Sequence, residues 1–145
     1  MSHENIVTSD DDLRALLTET RRIAVLGMKP ETHSGQPAYY VPQYMANHGY
    51  EIIPVPVYYP EVTEIMSKQV YRDLRDVAGE IDMVNVFRRS EDIPKHTEEI
   101  LAAKPKSVWF QLGIRNDAVA EQLAAAGIKV VQNLCLMVEH RALMR

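Results

Sequence analysis

The chain has 145 residues, 46% apolar and 25% charged, enough for one globular domain with a sizeable core. Its formal charge of −4, without a long Lys/Arg run, argues against non-specific nucleic-acid binding. No segment approaches the roughly 20 consecutive apolar residues that span a bilayer.

Residues 1–8 read as a flexible N-terminus. Ser9 followed by Asp12 resembles a capping box, and Leu13, Leu16 and Leu17 form an apolar stripe, which predicts a helix over 9–20. The first strand is Arg22–Leu26, ending at Gly27 and a polar loop. A helix over Pro37–His48 stops at Gly49, and the second strand is Glu51–Val57. Pro54 and Pro56 belong late in that strand or beyond it, because proline cannot donate to a central ladder. A short helix near Glu61–Ser67 follows, then a third strand at Asp82–Phe87 and a helix from Ser90 to Ala103. The fourth strand is Ser107–Leu112. A helix over Asn116–Ala126, the cap Gly127, a fifth strand at Lys129–Gln132 and a last helix from Cys135 complete the order. Strands separated by such helices need crossovers and form a parallel sheet. The class is α/β, a doubly wound sheet of five strands in the order 3-2-1-4-5 with helices on both faces.

The acidic, polar opening MSHENIVTSDDD is no signal peptide, and the single Cys135 excludes an internal disulfide and suits a cytoplasmic location. Five histidines show no metal-ligand spacing. Ligands of such a sheet bind beyond the carboxyl ends of the strands, at the reversal of winding. Gly27, Gly35 and Gly113 fall there, after the first and fourth strands, whereas Gly49, Gly79 and Gly127 precede strands or strand-like segments. Backbone approach to a ligand is the reading for Gly27 and Gly113, against ordinary turns for all six. The spacing is no dinucleotide fingerprint: after Gly27 the next glycine is Gly35, and the second strand ends in apolar PVPVYYP rather than in an acid.

The segments HGYEIIPV, VNVFRRSEDIP and VWFQLGIRN, with a closing C-x-x-x-E-H, resemble the small stand-alone CoA-binding proteins. These are similar to the amino-terminal CoA-binding domain of the succinyl-CoA synthetase alpha subunit. The resemblance implies a Rossmann-like domain that binds coenzyme A or an acyl-CoA, without an evident catalytic apparatus. It puts the phosphate loop on Gly27, Met28, Lys29, Pro30 and onward to Ser34, and the adenine and ribose end on Val55 and Pro56. Phe87 and Arg88 would pack along the nucleotide, with Gln111 and Gly113 facing it and Cys135 nearby. The chain departs from the family at Lys29, often Ser, and at Tyr58-Tyr59, where Asn-Pro with glycines is usual. Of the two neighbouring arginines, Arg88 is the one that turns toward the cleft, and Arg89 is solvated. Cys135, Glu139 and His140 suggest a nucleophile with a base, but a buried small residue beside a structural pair is the preferred reading. Two other readings stand beside CoA binding: an NAD(P)-dependent oxidoreductase with a degenerate glycine loop, and a non-enzymatic regulatory or interaction protein.

Overall fold

The computed structural model describes residues 3–144. Its elements in order are α1 (Asp10–Glu19), β1 (Arg22–Leu26), α2 (Pro37–Asn47), β2 (Glu51–Val55), β3 (Glu64–Ile65), β4 (Lys68–Gln69) and β5 (Met83–Val86), then α3 (Thr97–Ala103), β6 (Ser107–Phe110), α4 (Asp117–Ala125), β7 (Lys129–Val131) and α5 (Leu136–Leu143). The Ser9 hydroxyl caps α1 by accepting from Asp12 N–H at 3.2 Å, and Asn116 caps α4 by accepting from Val119 N–H at 3.1 Å.

Five strands form one parallel sheet. The inner strands β5 and β6 are buried at every position, as strands covered on both faces must be. One side chain layer joins Leu26, Val84, Val86 and Phe110 to Ile100 of α3 and Leu123 of α4. The other joins Ile23, Val25 and Trp109 to Leu13 of α1, Met45 of α2 and Leu136 of α5. The α/β doubly wound class is therefore as the sequence reads.

The strand order needs a correction. It runs β2-β1-β5-β6-β7, which in sheet-strand numbering is 2-1-3-4-5 rather than 3-2-1-4-5. Pro54 gives the physical reason. In the anticipated order the second strand is interior, and its proline would leave a ladder position without a donor. In the observed order β2 is an edge, and the Pro54 carbonyl faces outward to accept from Tyr71 N–H at 3.0 Å.

Three further expectations change. The N-terminal segment docks: Ile6 bridges Val130 in parallel, Val7 N–H donates to Val130 O at 2.8 Å, and Val7 is buried. The unpaired carbonyls of edge strand β7 supply the acceptors. The short helix near 61–67 is instead the β3–β4 hairpin, turning through Met66 and Ser67 at φ 54° and 61°. The Glu31 carboxylate holds its turn by accepting from Met66 N–H at 2.6 Å, and Arg72 donates to the Tyr58, Tyr59 and Val62 carbonyls of the loop that leads into it. The segment 90–103 divides after His96 into a 3-10 stretch, Ser90–His96, which contains Pro94, and α3.

At the far end of α2, His140 of α5 is buried against Tyr44, His48 and Tyr50, with its Nδ1 3.0 Å from the Tyr44 hydroxyl. Arg141 lies over the Tyr44 ring. Burial first, and His48 second, hold the His140 pKa below 6.5. The folded state thus binds fewer protons here than the unfolded one. This contribution is complete above about pH 6.5 and is lost as pH falls through the lower folded value. Urea denaturation across that range should show stability falling toward acid. His140→Gln keeps a partner for Tyr44 and should flatten the slope; an unchanged slope would assign it elsewhere.

Candidate functional site

From β1 the chain steps one way to β2 and then returns past β1 to β5. The winding reverses between β1 and β5, and there the carboxyl ends of the strands open a cleft of about 620 Å³. Three connections wall it: Lys29 with Gln36–Ala38 from β1 to α2, Phe87–Glu91 after β5, and Gln111–Ile114 after β6.

The first wall begins at Gly27, whose φ of 89° and tight surroundings demand glycine. A β-carbon there would lie 2.3 Å from the Phe87 carbonyl oxygen. Its N–H donates to Val55 O at 2.8 Å, so the residue ties three strand ends together. Met28 is fully buried and belongs to the core, and Pro30 is buried too. Ser34 is exposed, closes a short 3-10 turn and lies outside the cleft lining, so it does not start α2. Gln36 occupies the N-cap of α2 without capping by its side chain, and Pro37 has no N–H to use. The Gln36 amide oxygen instead accepts from the Lys29 ammonium. Among the described residues no carboxylate pairs with Lys29, so its charge meets only a neutral partner at the mouth of a helix N-terminus.

In the second wall the two arginines divide the work. The Arg88 side chain is only 9% exposed. Its Nε donates to His96 Nε2 at 3.1 Å, one Nη donates to the Tyr58 hydroxyl at 3.2 Å, and the other lies 3.8 Å from Asp92. Arginine Nε can only donate, so His96 carries its proton on Nδ1 and gives it to Glu99 at 2.6 Å. Glu99 also accepts from Leu74 N–H at 3.0 Å. The hydrogen bond from Arg88, reinforced by its charge, lowers the Tyr58 pKa below its ordinary 10.0. Arg88 thus reaches the cleft wall, but each of its nitrogens already faces a protein group. Arg89 is exposed, as anticipated, and pairs with Asp92 at 3.0 Å and Glu91 at 3.6 Å.

The third wall is stitched to its neighbours. Gly113, at φ 87°, donates to Asn133 Oδ1 at 2.7 Å, and Arg115 N–H donates to the Ser90 hydroxyl at 3.0 Å. A β-carbon on Gly113 would meet nothing within 4 Å, so its turn, not its neighbours, calls for glycine. Gln111 is nearly buried, while Leu112 stands 64% exposed at the rim.

Lys29, Phe87, Arg88, Gln111 and Gly113 therefore converge. Val55 and Pro56 do not: both are buried away from the cleft. Beyond β2 lies a recess of about 50 Å³, lined by Val57, Tyr58 and Tyr59 among others. Cys135 sits at the N-cap of α5, outside the lining, and His140 is engaged with Tyr44, so no Cys–Glu–His constellation forms. Sequence reading missed Gln36, Pro37, Ala38, Ser90, Glu91 and Ile114 as lining and turned Arg89 away from it, because only the strand order tells which loops share a wall.

Residues 21–141 match the family model of the CoA binding domain. The chain belongs to that family. Among relatives of this CoA binding domain, the uncharacterized protein YneT of Bacillus subtilis is 35% identical over 134 residues, 91% of this chain and 94% of that one. The solved structure of cell-free ID.343 from Thermus thermophilus superposes with a TM-score of 0.85 at 38% identity, covering 94% of this chain and 99% of that one. The domain also shares its fold with part of the dinucleotide-forming acetyl-coenzyme A synthetase 1 of Ca. Korarchaeum cryptofilum. There the TM-score is 0.67 at 15% identity, over 84% of this chain and 27% of that one. No described helix is long and apolar enough to cross a membrane.

Proposed function

We propose that the cleft at the carboxyl ends of β1, β5 and β6 binds coenzyme A or an acyl-CoA. The observation that carries this is Lys29, a cation without a carboxylate partner beside the uncapped first turn of α2. A diphosphate supplies the negative charge that such a pair accepts. The residues present fit the group: Lys29 and the α2 terminus for the diphosphate, and Phe87, Pro37 and Ala38 as apolar walls for the arm beyond it. Arg88 acts through the scaffold, fixing the loop that carries Phe87 and Arg89.

The nicotinamide-dinucleotide reading is weaker on the same residues. It asks for an acid at the end of β2 to hold ribose hydroxyls, and there the chain is apolar and filled by Tyr58 and Tyr59. Within the lining Ser90 is the one hydroxyl, and it accepts from Arg115 N–H at 3.0 Å. The assignment is therefore to binding. Calorimetric titration with CoA and with NAD tests it, and Lys29→Glu tests its location.

A further inference from the structure

The β6 end of the cleft holds an amide whose orientation is determined by its neighbours. Leu136 N–H can only donate, so the Gln111 atom that it meets at 3.3 Å is the oxygen Oε1. Asn85 Nδ2 approaches the same oxygen at 3.5 Å. Asn85 is fixed in turn, because its Nδ2 donates at 3.2 Å to the Trp109 carbonyl, which can only accept. Among the described residues Asn85 Oδ1 is left buried without a partner. The consequence is that, among the described residues, no protein group accepts from the Gln111 Nε2 donors on a residue that lines the cleft.

Gln111 shares the lining with apolar side chains, while the cations there are already engaged: Lys29 with Gln36, Arg88 with His96 and Tyr58, and Arg89 with Asp92. Leu112 is 64% exposed, and Phe87 and Ile114 are half-buried and line the same space. The carboxylate in the lining, Glu91, is drawn to Arg89 at 3.6 Å. A fixed N–H donor flanked by hydrocarbon recognises a carbonyl with an apolar substituent, and a charged substituent there would lose its hydration for little return.

Resting on the CoA reading, we infer that the ligand is a CoA thioester with a short, uncharged acyl group. Its carbonyl accepts from Gln111 Nε2, and the acyl chain lies against Leu112 and Ile114. Asn85 is a positioning residue that acts through Gln111.

The test compares CoA, butyryl-CoA and succinyl-CoA by calorimetry on the wild type, Gln111→Glu and Leu112→Ser, after each variant is shown to melt as the wild type does. Gln111→Glu keeps an oxygen for Leu136 N–H while removing the donor. Butyryl-CoA should bind the wild type about tenfold more tightly than CoA, with succinyl-CoA behind butyryl-CoA. Gln111→Glu and Leu112→Ser should each weaken butyryl-CoA more than CoA and so remove most of that roughly tenfold preference. Equal affinity for CoA and butyryl-CoA overturns the inference while leaving the CoA reading intact. So does an equal loss of both ligands in Gln111→Glu, which would place the amide on the pantetheine arm. Failure of every CoA species to bind the wild type overturns both.

Discussion

Gly27→Val should destabilise the ligand-free fold by at least about 3 kcal/mol. Two costs combine at one position. The backbone sits at φ 89°, where a β-branched residue is strained, and the new side chain would begin 2.3 Å from the Phe87 carbonyl oxygen. That oxygen belongs to backbone at the end of β5, so it cannot swing aside as a flexible side chain would. Gly27→Ala shares both problems and should move in the same direction by less. The loss should appear in urea denaturation without any ligand present. A loss below about 1 kcal/mol would mean that β1 and β5 can separate at their carboxyl ends at little cost. The sequence alone offers two reasons for this glycine, close approach of backbone to a phosphate or a positive φ, and the φ of 89° bears out the second. The structure gives it to the strand ends, and any ligand effect follows from their displacement.

Arg88→Ala should be the second large loss, about 2–3 kcal/mol, in line with hydrogen bonds that involve a charged donor. Its removal leaves His96 Nε2 without a donor and strips the Tyr58 hydroxyl of its partner, in a site where the arginine side chain is 9% exposed. Asp92 retains Arg89 and Lys95 and so should not be stranded. Arg88→Lys should rescue little, because one ammonium cannot replace a planar fork that spans three partners. Arg89→Ala, with the side chain in solvent, should leave the melting temperature near that of the wild type. The two variants carry the same charge change, which makes each the control for the other. Equal losses in denaturation would show that the network around Arg88 is not what holds the β5 loop.

Much of this was legible in the chain, and each failure has a physical cause. Continuous apolar strands at Arg22–Leu26 and Ser107–Phe110, with helix caps at Ser9 and Asn116, give a doubly wound sheet from pattern alone. Trp109 and Phe110 are buried core, as the pattern requires. The strand order was not read correctly, although Pro54 carried the signal: a proline within an apolar strand marks an edge as well as an end. The hairpin at 64–69 has no local signature, since Met66 and Ser67 replace the Asn-Gly expected at positive φ and distant Glu31 and Arg72 hold the shape. Of the two residues that follow Phe87, the sequence turns Arg88 toward the cleft, and in the structure both arginines line it, with the Arg88 side chain 9% exposed. The sequence cannot show that His96, Asp92 and Tyr58 are waiting there, because those contacts span the 3-10 stretch and the loop after β2. Gly113 is read from its place after a strand end and Lys29 and Gln111 from the resemblance, and all three line the cleft. Ser34, Val55 and Pro56 were placed by resemblance, and their surroundings in this chain differ.

The central claim is tested most directly by titrating wild-type protein and Lys29→Glu with CoA, and wild-type protein with NAD, in one buffer. CoA at a hundred times its Kd should stabilise the wild type by about 2.7 kcal/mol, and NAD at the same concentration should do little. Lys29→Glu replaces the cation that meets no carboxylate, and should weaken CoA binding by at least about tenfold in a protein that still folds. Stabilisation by NAD equal to that by CoA, or wild-type CoA affinity in Lys29→Glu, would contradict the account.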